Sequence, residues 1–155
     1  MTIKDKLNYK IKLKQVCQVT IEQRINAATL AANDAQQAAN NEEKSSAGDK
    51  YETSRAMNHL QKDMHARQLS ENVKELASLH AIDVNEICSI GKAGAFLKCA
   101  GVSFFIAAGL GRQVIEGEII FFLSPNAPLA KLLQNKKEGD IFLFNSIQTP
   151  IVEIF

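Results

Sequence analysis

The chain has 155 residues, 46% of them apolar and 23% charged, which excludes global disorder and suits one ordinary domain or two small ones. Eighteen basic against seventeen acidic residues leave a net charge of +1, too little for a protein that grips duplex DNA mainly through its phosphates. Three scattered cysteines, Cys17, Cys88 and Cys99, with no Cys-x-x-Cys among them, argue against a disulfide framework or a zinc site and read as small buried hydrophobes.

The opening stretch, Met1 to Lys14, interleaves five lysines with single apolar residues, and no apolar run follows, so it does not read as a signal peptide. The most apolar run, Val102 to Leu110, has nine residues, about half of what a membrane-crossing helix needs. A cytoplasmic location, with no membrane partner, is expected.

Composition shifts after His80: residues 1–80 contain one glycine, no proline and no phenylalanine. This places a boundary there, giving units 1–80 and 81–155. In the first, Ile21, Ile25, Ala28, Ala32, Ala35 and Ala39 advance in steps of four and three, the heptad seam of a coiled coil. The predicted helix runs from about Lys4 to about Glu43. Alanine at its last four seam positions buries little area, so the far end is expected to be thin. A second helix carries Met57, Leu60 and Met64, then Leu69, Val73, Leu76 and His80, with a five-residue step between Met64 and Leu69 that breaks the heptad. Lys44 to Gly48, polar and small, suits the turn of an antiparallel hairpin of roughly 50 Å, with an acidic tip near 44–52.

The second half predicts strands at Ala95–Cys99, Val102–Ala108, Glu118–Leu123, Ile141–Asn145 and Ile151–Phe155. A helix is expected over Asn126–Gln134, capped by Asn126, with Pro128 in its first turn and Leu129, Leu132 and Leu133 buried. The fold class is therefore α+β: a helical hairpin, then a small antiparallel sheet with one helix.

The most informative local feature is Gly48-Asp49-Lys50-Tyr51-Glu52, where the second helix begins. Asp49 and Glu52 share a helix face. Their spacing suits a capping box. The capping reading is the stronger from this segment alone, and the same spacing also suits two carboxylates that share Mg2+ or orient a water, with the remaining ligands supplied by a partner. Lys44, Lys50 and Arg55 flank the pair and read as a solvated helix end or as contacts to phosphates. His59, His65 and His80 stand singly and read as surface or junction residues. Gly109-Leu110-Gly111 lacks the third glycine of a dinucleotide fingerprint, position 114 being Val, and reads as a turn.

Gly48, Asp49 and Glu52 match the Gly-Asp-x-Ser-Glu-Asn-Ala tip of the Gre family of bacterial transcript-cleavage factors. Leu123-Ser124-Pro125-Asn126-Ala127-Pro128-Leu129-Ala130-Lys131-Leu132-Leu133, followed by Lys136-Lys137-Glu138-Gly139-Asp140, is similar to that family's C-terminal signature. About twenty positions, spread over nearly the whole chain, carry the resemblance. It implies an FKBP-like C-terminal domain that docks through Ser124, Pro125, Asn126 and Pro128 at the mouth of RNA polymerase's secondary channel. It also implies that Asp49 and Glu52 act in trans on Mg2+ and a water at the nascent RNA 3′ end, with Gly48, Lys50, Tyr51 and Arg55 supporting the tip. The chain would then be no enzyme itself, would hold no cofactor alone, and would stimulate the polymerase's own nuclease as an elongation factor. Tyr51-Glu52-Thr53 stands where the family has Ser-Glu-Asn, and Asn126 and Ala127 replace an acidic residue and a Ser. A polymerase-binding regulator without cleavage, a structural coiled-coil adapter, and a peptide-binding or isomerase-like module by fold analogy are the alternatives.

Overall fold

The computed structural model describes the backbone of residues 1–45 and 49–155, and the side chains outside 42–51. Two long helices, α1 (Ile3–Ser45) and α2 (Asp49–His80), precede β1 (Phe96–Cys99), β2 (Ser103–Ile106), β3 (Gly111–Ile115), β4 (Glu118–Leu123), α3 (Pro128–Leu133), β5 (Ile141–Phe144) and β6 (Ile147–Ile154). The fold is α+β, a helical hairpin followed by a six-stranded sheet and a short helix. By contact the chain forms two compact units, Met1–Gln18 with Ser78–Phe155, and Val19–Ala77. The compositional boundary at His80 thus marks the end of α2, whereas the sheet's packing unit also takes in the first turns of α1.

In the sheet-containing unit the strand order is β3-β4-β2-β1-β6-β5, antiparallel throughout except for the parallel pair β2 and β4. One face carries Leu97, Phe104, Ile106, Ile151 and Ile154, which pack with Ala130 and Leu133 of α3 and with Phe142. Phe104 sits at the centre, its ring 5.8 Å from Phe121, 5.6 Å from Phe142 and 5.2 Å from Phe144. The other face carries Phe96, Phe105 and Phe122, with Phe155 beside Phe96. Tyr9 of α1 lies edge-on to Phe96 at 5.3 Å.

The amino-terminal lysines have structural partners. Lys6 pairs with Glu153 at 2.5 Å and lies over the Phe155 ring, Lys12 pairs with Glu116, and Lys14 donates to the Ile82 carbonyl at 2.6 Å. Lys10 is fully buried, donating to the Glu86 carbonyl at 2.8 Å and lying 3.6 Å from Cys88 Sγ. Burial lowers its pKa, because an ammonium in the interior lacks water. α1 starts with a capping box: the Thr2 hydroxyl accepts from the Asp5 amide at 3.1 Å while Asp5 accepts from the Thr2 amide at 3.0 Å.

Several local expectations change. Ala127, not Asn126, caps α3, without a side-chain hydrogen bond, because Pro128 at the first helical position forces the preceding residue into extended geometry. Ala130 takes the buried place expected of Leu132, which is 46% exposed. Gly111 opens a strand, β3, that pairs with β4 through a two-residue turn at Glu116 and Gly117, both at positive φ. All three cysteines are free and buried, and burial pushes the Cys99 thiol up to about 11.

In the Val19–Ala77 unit α1 keeps the expected seam, with Ile21, Ala28 and Ala35 buried and Ile25, Ala32 and Ala39 half-buried. The seam of α2 differs. Ser54, Asn58, His65, Leu69, Asn72 and Leu76 are its half-buried seam positions, whereas Met57, Leu60, Met64 and Val73 are exposed. In the sheet-containing unit Leu79 is buried and His80 exposed. The reason is phase. α2 is one uninterrupted α-helix, so the apolar positions near its end set a rotation that a five-residue step would break. Strict steps of three and four back from Leu76 bring His65 and Asn58 inward and leave the methionines outside.

Candidate functional site

The carboxylate pair falls where α2 begins. Asp49 is the first residue of that helix and Glu52 lies one turn on, with its side chain exposed. Arg55 is likewise exposed. Gly48 lies outside the described residues, as do the side chains of Asp49, Lys50 and Tyr51, all of which the sequence singled out. Lys44 and Ser45, expected in the turn, belong to the last turn of α1.

One turn of helix offers a Mg2+ ion two carboxylates at most, and Mg2+ completes its octahedron from water and phosphate oxygens. Two carboxylates alone would leave most of such a shell to other groups. Among the described residues no group of three or more histidine, cysteine or acidic side chains converges as a metal centre would.

The residues expected to dock lie together in the sheet-containing unit, at the turn that leads from β4 into α3. The Ser124 carbonyl accepts from the Ala127 amide at 3.0 Å, its hydroxyl accepts from the Asn126 amide at 3.4 Å, and the Ala127 carbonyl accepts from Lys131. Ser124 and Pro125 are half-buried; Asn126 and Pro128 are exposed. The turn thus holds Asn126 and Pro128 outward on a hydrogen-bonded support.

Sequence reasoning missed the groove between the helices of the Val19–Ala77 unit. It spans about 440 Å³ and is lined by Arg24, Ala28, His65, Gln68, Glu71 and Asn72 among others. His65 Nδ1 is buried there with no hydrogen-bond partner. A strict heptad count from Leu79 back along α2 was the signal that could have found it.

Comparison with protein-family models, curated proteins and solved structures gives no match to this chain. Among the described residues no helix is long and apolar enough to cross a membrane.

Proposed function

We propose that the chain is a Gre-like transcription elongation factor of the cytoplasm. It binds RNA polymerase at the secondary channel and lends Asp49 and Glu52 for cleavage of backtracked RNA. The observation that carries this reading is the placement of Asp49 and Glu52 on the first turn of the second helix of a long hairpin, with Glu52 exposed. The motif resemblance around Gly48 and around Ser124 supplies the partner.

In this reading the polymerase and the RNA provide most of the coordination, and Asp49 and Glu52 add the last oxygens. When bound, Mg2+ would supply a Lewis acid and an activated water. Glu52 is exposed to accept a hydrogen bond from that water, and the helix fixes its spacing from Asp49. The turn from Ser124 to Pro128 is the docking surface.

Asp49→Asn tests the reading, because Asn caps a helix about as well as Asp but is a poor Mg2+ ligand. Thermal unfolding should stay where it is, while Mg2+-dependent shortening of RNA in stalled elongation complexes falls by about tenfold or more. Wild-type protein that binds polymerase without shortening RNA makes it the non-cleaving regulator. Failure to bind polymerase at all favours the adapter, in which the two carboxylates only cap.

A further inference from the structure

A pocket of about 260 Å³ opens between α3 and the segment Gly91–Gly94, with Lys92, Ile106, Pro125, Asn126, Lys131 and Gln134 in its lining. Its chemistry is one-sided. Two ammonium groups and two primary amides supply donors, and no carboxylate lines it. The floor is apolar: Ile106 and Ala130 are 2% and 3% exposed. Lys131 has no ion pair among the described residues. Lys92 pairs with Glu86 at the surface, an interaction weak enough for a competing carboxylate to replace.

The wall is built rather than incidental. The Gly91 amide donates to the Lys136 carbonyl at 2.8 Å, and the Asn135 amide donates to the Gly91 carbonyl at 2.8 Å. A Cβ at Gly91 would stand 1.9 Å from the Leu133 carbonyl oxygen. Gly94 adopts φ +88, its amide donates to the Ile106 carbonyl at 2.7 Å, and a Cβ there would lie 2.3 Å from the Asp83 carbonyl oxygen. Two glycines without substitutes clamp Lys92 and Ala93 between them, so the pocket exists before any ligand arrives.

We infer that this pocket receives the side chain of a glutamate, flanked by apolar residues, from an acidic segment of a partner protein. The carboxylate meets Lys92, Lys131 and the two amides while its methylene stem lies against the half-buried Pro125. Only the identity of the partner rests on the polymerase reading; the chemistry of the pocket does not.

The test is a two-dimensional ¹⁵N–¹H NMR titration of the full chain with three probes. These are the blocked tripeptide Leu-Glu-Leu, its Gln counterpart, and inorganic phosphate. The Glu peptide should shift the amides of Lys92, Ala93, Lys131 and Gln134 saturably, and bind about tenfold more tightly than the Gln peptide, the worth of one charge-assisted hydrogen bond. Lys131→Glu should abolish these shifts with the rest of the spectrum unchanged, and Lys131→Arg should retain them. Equal binding of the two peptides, no shifts at these amides, or phosphate binding as tightly as the Glu peptide would each overturn the inference. Because the probes are peptides and an ion, this result is independent of whether the chain binds polymerase.

Discussion

The two compact units are stabilised by different means. The sheet-containing unit buries phenylalanines on both faces of its sheet, with Phe96, Phe104, Phe105, Phe122 and Phe155 each 2% exposed or less. The Val19–Ala77 unit has no phenylalanine, buries among its described residues Ile21, Ala28 and Ala35 alone, and sets serine, asparagine and histidine at the seam of its second helix. Each buried phenylalanine contributes several times the hydrophobic free energy of a buried alanine. Helix propensity and a narrow seam must therefore hold the second unit, and a surplus of core holds the first. The unit with the candidate carboxylates should therefore open locally at lower cost than the sheet-containing unit.

The largest expected effect breaks the first unit. Phe104→Ala removes a fully buried ring that contacts three others and should cost about 3–5 kcal/mol in chemical denaturation. The matched change in the second unit, Ala35→Gly, should cost about 1 kcal/mol, mostly from backbone entropy. Equal losses would show that the two units draw on comparable cores, and the contrast would fail.

A smaller substitution sharpens the same contrast from the other side. His65→Leu replaces a seam residue whose Nδ1 is buried and unpaired. It should slow amide hydrogen exchange in residues 52–77 by the equivalent of about 1 kcal/mol. Faster exchange would mean that the groove beside His65 needs a polar residue, and that the seam is not merely an imperfect coiled coil.

How much of this was legible follows from which signals are local. The seam of α1 could be read directly, because Ile21 to Ala39 repeat without competition. The seam of α2 could not, because its most apolar residues, Met57, Leu60 and Met64, form an equally regular stripe on the wrong face. Phase along a continuous helix, a non-local property, decided between them. Strand β4 was legible to the residue, whereas β3 was hidden by its exposed Arg112 and Val114 and by a Glu-Gly turn, weaker than the usual Asn-Gly signal. The first half of β6 was hidden by Pro150, tolerated because β1 pairs with β6 only from Ile151 onward and needs no ladder bond from position 150. The acidic pair was legible as a motif. The pocket beside α3 was not, because its walls come from three separate segments of the chain, at Lys92, at Ile106 and from Pro125 to Gln134, that meet around Gly91 and Gly94.

The smallest effect concerns the charges that hold the start of α1 to the sheet. A hydrogen bond from Lys6 lowers the pKa of the Glu153 carboxyl below the ordinary glutamate range. A carboxylate depressed in the folded state contributes stability that is fully present above the unfolded pKa and is lost as pH falls through the folded one. Lys6→Gln should therefore return the NMR titration midpoint of Glu153 toward the ordinary value. It should also flatten the loss of stability on acidification below about pH 4.3, the usual glutamate value, and leave neutral-pH stability little changed, since a partly exposed pair is worth little. The same change should leave exchange in residues 52–77 untouched, because Glu153 and Lys6 both belong to the sheet-containing unit. If exchange there quickens, the two units are energetically coupled, and the division drawn from their separate means of stabilisation does not hold.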